Sequence, residues 1–120
     1  FEPAETEFVK RNNIRVYELS EVREKGFQHA FKDALERATT GTEGFGLTID
    51  LDAFQGADAP GVGTAEEDGL LSSDILPIIK SIGRHPEFRA LEIAEFNPHK
   101  DVGGKTHRLI VKILESVFSK

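Results

Sequence analysis

The 120 residues include no cysteine, no methionine and no tryptophan. Without cysteine there is no disulfide and no thiolate metal site, which fits a reducing, cytoplasmic setting. No apolar run approaches the ~20 residues of a bilayer span, and nothing resembles the apolar core of a secretory signal, so no membrane partner is expected. The missing methionine extends to position 1: the chain opens FEPAETEF, as expected of a segment of a longer protein. Positive charge is scarce too. Fifteen Lys+Arg face 21 Asp+Glu, for a net charge of −6 and a pI near 5.2. That field repels a phosphate backbone, so no nucleic-acid partner is expected, whereas divalent cations are attracted.

What is present suits one modest α/β domain, long enough to bury roughly two thirds of its unfolded surface. Asn13–Glu18 (NIRVYE) alternates and reads as a short strand. A helix opening at Ser20 would bury Phe27, Ala30, Phe31, Ala34 and Leu35 on one face. Phe45–Leu51 reads as the next strand, with Leu47, Ile49 and Leu51 on one side and Thr48 and Asp50 on the other. After a loop to about Leu71, Ser72 or Ser73 can cap a second helix lined by Ile75, Ile78, Ile79 and Ile82, with Pro77 near its start. Phe88–Ala94 reads as a third strand, ended by Asn97-Pro98. A last helix over about Lys105–Phe118 would bury Leu109, Ile110, Ile113, Leu114 and Val117. The order βα-βα-βα implies a parallel sheet with helices on its faces.

Such sheets bind ligands beyond the carboxyl ends of their strands, where Asp50, Asp52, Glu95 and Asn97 fall. Asp50 and Asp52 are two apart, so in an extended strand both point the same way. Two carboxylates converging at a partly buried site repel unless a counter-charge is present, and oxygen ligands suit Mg²⁺, Mn²⁺ or Ca²⁺. The plain alternative is that one aspartate caps a turn and the other is solvated. Thr48 and Asp50 sharing a face of a strand expected to be buried on both sides weighs towards a ligand role. The following run, Gly56 to Gly63, has little bulk and could pass close to a ligand, or could simply be a flexible surface loop. Glu95 could hold a cationic group or pair with a nearby Lys or Arg. His29 and His107 fall in helices and His85 and His99 beside loops, none at metal-site spacing.

Short apolar strands ending in D-x-D also occur in lesion-bypass polymerases and in haloacid-dehalogenase-type phosphatases, which use Mg²⁺ for phosphoryl transfer, but neither group accounts for the residues after Asp52. The longer pattern resembles the ureohydrolase family of arginases, agmatinases and formimidoylglutamases. Three segments carry the resemblance, in order over about fifty residues: Thr48-Ile-Asp50-Leu-Asp52, Pro60-Gly-Val-Gly-Thr64…Gly69-Leu70, and Glu92-Ile-Ala-Glu95-Phe-Asn97-Pro98. The resemblance implies a three-layer α/β/α fold with a parallel sheet, of which residues 1–120 would be the C-terminal β-α units of a single catalytic domain. It implies a binuclear Mn²⁺ centre that activates water for attack on an amidine or guanidine carbon. Asp50 and Asp52 match one pair of the family's metal ligands. Glu95 matches a glutamate that engages the cationic nitrogen group of a small-molecule substrate, with Thr64 in the lining loop. A cytoplasmic homo-oligomer is the corresponding expectation for the whole protein.

Departures from the pattern narrow the substrate. Arginases and agmatinases continue D-x-D-x-x-D-P, whereas Gln55-Gly56 stands here in place of Asp-Pro. The L-x-I-D-L-D-x-F…A-P-G-V run and I-A-E-x-N-P look more like formimidoylglutamase, a histidine-degradation enzyme that releases glutamate and formamide. Ala65 replaces the usual proline after Gly-Thr, and Asp68 the first Gly of Gly-Gly-Leu, which leaves arginase or agmatinase chemistry open. The family's remaining ligands, a histidine and a D-x-H-x-D segment, are missing from these residues. Two of six expected ligands are therefore present, and the segment alone is expected to be catalytically silent. A magnesium phosphoryl-transfer enzyme and a non-catalytic binding module are the other readings.

Overall fold

In the computed structural model, which describes residues 2–119, the elements follow the order α1 (Pro3–Arg11), α2 (Leu19–Lys25), α3 (Phe27–Thr39), β1 (Phe45–Asp50), α4 (Ser72–Gly83), β2 (Phe88–Ala94) and α5 (Lys105–Phe118). Two compact units result, Phe1–Arg37 and Ala38–Lys120.

The first unit is helical. Glu2 and Glu5 form a capping box at the start of α1. At the other end, Asn13 adopts a left-handed φ of 52° and the Ile14 N–H bonds back to the Val9 carbonyl. The expected strand over Asn13–Glu18 is therefore not formed: the segment finds no ladder partner among the described residues, and alternation without a partner does not make a strand. The helix expected from Ser20 is likewise interrupted. Gly26, at φ 88°, ends α2, and α3 restarts at Phe27. Its inward face holds Ala30 buried, with Phe27 stacked against Phe31 at 5.2 Å between ring centroids. Tyr17 donates its hydroxyl proton to Asp33, which also accepts from Arg37 Nε at 2.8 Å.

In the second unit β1 and β2 pair in parallel, with Thr48 opposite Glu92, Ile49 opposite Ile93 and Asp50 opposite Ala94. The sheet described has two strands rather than three. Ile49 is buried, while Thr48, Asp50 and Glu92 are exposed, so β1 is covered on one face and not on both as expected. Thr48 Oγ1 donates to Glu92 Oε2 at 3.1 Å across this open face.

Helices α4 and α5 pack together. Ile75, Ile78, Ile79 and Ile82 of α4 are buried, as are Leu109, Ile113 and Val117 of α5. Gly83 permits the contact: a β-carbon there would lie 2.4 Å from the Val117 carbonyl oxygen. Of the residues expected inside, Ile110 is only half-buried and Leu114 is 40% exposed, because they flank the 109–113–117 stripe. Neither Ser72 nor Ser73 caps α4. Leu71 holds the cap position, and the Ser72 N–H is taken by Asp58 Oδ2 at 2.9 Å, a carboxylate delivered from the preceding loop. Pro77 sits inside the helix, where it removes the N–H owed to Ser73, whose exposed carbonyl water can satisfy.

Candidate metal and substrate site

The strand register brings the carboxyl end of β1 beside that of β2, and the candidate residues lie just beyond those ends. β1 stops at Asp50. Leu51–Ala53 turns into a single 3₁₀ turn, with Leu51 fully buried within it. Asp50 and Asp52 therefore do not share the one extended strand expected of residues two apart. Asp50 instead caps the turn, its Oδ1 accepting from the Asp52 N–H at 2.9 Å. Asp52 is half-buried, and its Oδ1 is buried with no hydrogen-bond partner among the described residues. An unpartnered buried carboxylate oxygen is costly, and a cation is the group that would relieve it. Hard oxygen donors of this kind fit Mg²⁺, Mn²⁺ or Ca²⁺. Among the described residues no three His, Cys, Asp or Glu gather closely enough to hold a metal by themselves.

Glu95 stands immediately after β2, exposed, with a φ of 66°. A left-handed backbone at a non-glycine residue costs about 1–3 kcal/mol and is a mark of functional positions. Asp52 and Glu95 flank one point of the loop. A β-carbon at Gly63 would lie 3.9 Å from Asp52 Oδ2 and 4.0 Å from Glu95 Oε2. Thr64, the next residue, is exposed in the same loop.

That loop is not a loose tether. Phe54, Ala59 and Val62 are buried in it to 2% exposure or less. Leu70 N–H donates to the Ala53 carbonyl at 2.8 Å, Gln55 N–H to Leu70 at 2.9 Å, and Gly56 N–H to Glu66 at 2.8 Å. Gly69 lets these strands of loop touch, because a β-carbon there would lie 2.4 Å from the Phe54 carbonyl carbon. Its far end is tied down in part by Thr106 and Lys100, which the sequence pattern did not single out. Gly61 N–H donates to Thr106 Oγ1 at 2.7 Å, Asn97 N–H to the Gly61 carbonyl at 2.7 Å, and Lys100 Nζ to the Gly63 carbonyl at 2.7 Å. Asp101 accepts from the Thr106 and His107 N–H groups, at 3.0 and 3.1 Å, and so caps α5. Partial burial pushes the Asp101 carboxyl up, but these backbone donors outweigh it and hold it below its ordinary range. The aspartate four residues before the helix start is a signal that could have identified this cap.

No hydrogen bond joins a histidine side chain to Asp50, Asp52 or Glu95 among the described residues. His29, His99 and His107 are exposed. His85 lies at the opposite end of the sheet, its Nδ1 accepting from the Glu87 N–H and its ring edge-on to Phe45 at 5.3 Å.

The chain matches the model of the Arginase family over residues 1–119. An arginase of Bacillus caldovelox is 28% identical over 97% of the chain and 39% of its own length. Its solved structure superposes with a TM-score of 0.89 over 98% of the chain. A formimidoylglutamase of Bacillus subtilis is 26% identical over 89% of the chain and 34% of its own length. The crystal structure of that enzyme superposes with a TM-score of 0.90 at 25% identity, covering 96% of the chain and 36% of its own. A formiminoglutamase of Trypanosoma cruzi, solved with two Mn²⁺, superposes with a TM-score of 0.82 at 25% identity, covering 93% and 38%. The chain thus spans 34–39% of the length of these two relatives. The fold is the α/β arrangement with a parallel sheet of these structures.

Proposed function

Because the chain belongs to the arginase family, we propose that it forms the C-terminal part of a single arginase-like catalytic domain, in a manganese-dependent hydrolase of linear C–N bonds. The observation that carries the metal reading is the buried, unpartnered Asp52 Oδ1 beside Asp50. These two carboxylates would hold manganese together with ligands from outside the 120 residues. When bound, the metal supplies Lewis-acid activation of water.

The remaining work falls to the chain's own side chains. The Glu95 carboxylate draws the cationic amidine or guanidine group towards Asp52, across the gap that Gly63 leaves open. Thr64 offers a hydroxyl on the adjoining wall. Water oxygen bonds to the amidine carbon, the C–N bond breaks, and the departing nitrogen takes a proton. The substrate we favour is N-formimidoyl-L-glutamate, giving glutamate and formamide, on the strength of Gln55-Gly56 where arginases carry Asp-Pro. The similar match to an arginase favours arginine or agmatine as the second reading. On this reading the complete protein is a cytoplasmic homo-oligomer.

Metal analysis and substrate screening of the full-length protein test the proposal. Two manganese ions per subunit and formamide release from formimidoyl-glutamate are expected. Urea from arginine or agmatine would replace the first substrate reading by the second, and no hydrolysis with manganese loaded would refute both. Asp52→Ala should empty the site of metal; full occupancy in that variant removes Asp52 from the ligand set.

A further inference from the structure

The site wall is held by a helix that takes no part in binding. Thr106 is the second residue of α5 and the one polar residue that is fully buried among the described residues, at 0% exposure. Buried hydroxyls need partners, and this one accepts from the Gly61 N–H at 2.7 Å while its own backbone N–H is held by Asp101 Oδ1 at 3.0 Å. The approach is as close as chemistry allows. A β-carbon at residue 61 would lie 2.9 Å from both Thr106 Oγ1 and Asp101 Cβ, so only glycine can be seated against this pair. The next peptide, between Gly61 and Val62, is also fixed, by the Asn97 N–H on the Gly61 carbonyl. Two residues further on, a β-carbon at Gly63 would lie within 4.0 Å of both Asp52 Oδ2 and Glu95 Oε2, and Thr64 follows.

We propose that Thr106 is a positioning residue. Its hydroxyl, seated by the Asp101 cap, fixes Gly61 and thereby sets where Gly63 and Thr64 stand relative to Asp52 and Glu95. It touches neither substrate nor metal. The clamp acts on the loop wall and not on the 3₁₀ turn carrying the aspartates, so substrate binding depends on it and metal binding does not. This deepens the hydrolase reading and rests on it.

Thr106→Val keeps the shape and removes the acceptor, while Thr106→Ser keeps the acceptor. Amide hydrogen exchange on the full-length protein reads the clamp directly: the Gly61 amide should exchange about tenfold faster or more in the Val variant and near the native rate in the Ser variant. In the full-length protein, KM should rise about tenfold or more in Val with the manganese Kd unchanged, and Ser should restore it. Unchanged Gly61 exchange in Val overturns the clamp whatever the activity. Loosened exchange with native KM, or a Ser variant as impaired as Val, overturns the positioning role. If the native full-length protein hydrolyses no amidine or guanidine, the function proposed above fails, and the exchange measurement still decides the clamp.

Discussion

At Gly69 and Gly63 the same residue type serves opposite purposes, and substitution separates them. A β-carbon at Gly69 would run into Phe54 and Gln55 backbone atoms at 2.4–2.5 Å, which cannot swing aside. Gly69→Ala should therefore destabilise the chain by about 1–3 kcal/mol in urea titration, the usual cost of overpacking. At Gly63 the nearest atoms are carboxylate oxygens at 3.9 and 4.0 Å, an ordinary contact distance. Gly63→Ala should leave the urea midpoint within about 0.5 kcal/mol of native. In the full-length protein it should still raise KM, since a methyl group would stand 3.9 Å from Asp52 Oδ2 and 4.0 Å from Glu95 Oε2. Loss of stability at 63, or none at 69, would contradict this division. The small residues from Gly56 to Gly63 could be read in the sequence as a wall able to approach a ligand. Which glycine meets backbone and which meets the carboxylates depends on contacts across the loop that spacing does not encode.

Among the elements, α4 and α5 carry most of the burial in the second unit, and their isoleucine and leucine stripes are plain from helical periodicity. Ile79 is 1% exposed, and truncation to alanine should cost about 2–5 kcal/mol with an unchanged denaturant slope. β2 matches its expected bounds, Phe88–Ala94, because it is a continuous run between breakers. The strand expected at Asn13–Glu18 fails because a strand is a property of two segments. Gly26 divides what periodicity presents as one helix. Its φ of 88° with nothing within 4 Å of a β-carbon makes the penalty purely conformational. Gly26→Ala should lower the stability of the first unit by about 1 kcal/mol, read as earlier loss of helical circular dichroism.

Among the described residues, buried apolar side chains are distributed unevenly: Val22 and Ala30 in the first unit, against twelve in the second. Native-state hydrogen exchange should accordingly find α1 and α2 opening well before α4 and α5. Equal protection across the chain would argue against two units of different stability. Acid should weaken both units. Bonds from the Tyr17 hydroxyl and Arg37 hold Asp33 below its ordinary value of 3.8, and backbone donors do the same for Asp101 against the opposing effect of burial. A lowered folded value means that the stabilisation is whole above about 3.8 and is lost as pH falls through the folded value. The melting temperature should therefore fall below about pH 4, and Asp101→Asn should remove part of that dependence. An identical acid profile in the Asn variant would exclude Asp101 as a contributor.

By itself the sequence determined the α/β class, both strands of the sheet, the two packed helices behind the site, and the identity of Asp50, Asp52, Glu95 and Thr64 as candidates. These are consequences of local periodicity and of motif order, which a linear chain carries in full. Only the tertiary structure decided that β1 ends at Asp50, leaving Asp52 in a turn with a buried oxygen unpartnered. It alone seated Gly61 on Thr106, supplied Asp58 as the cap of α4, and brought Gly63 close to both Asp52 and Glu95. Each of these joins residues far apart in sequence through a single hydrogen bond or close approach, and such pairings follow from how the elements pack.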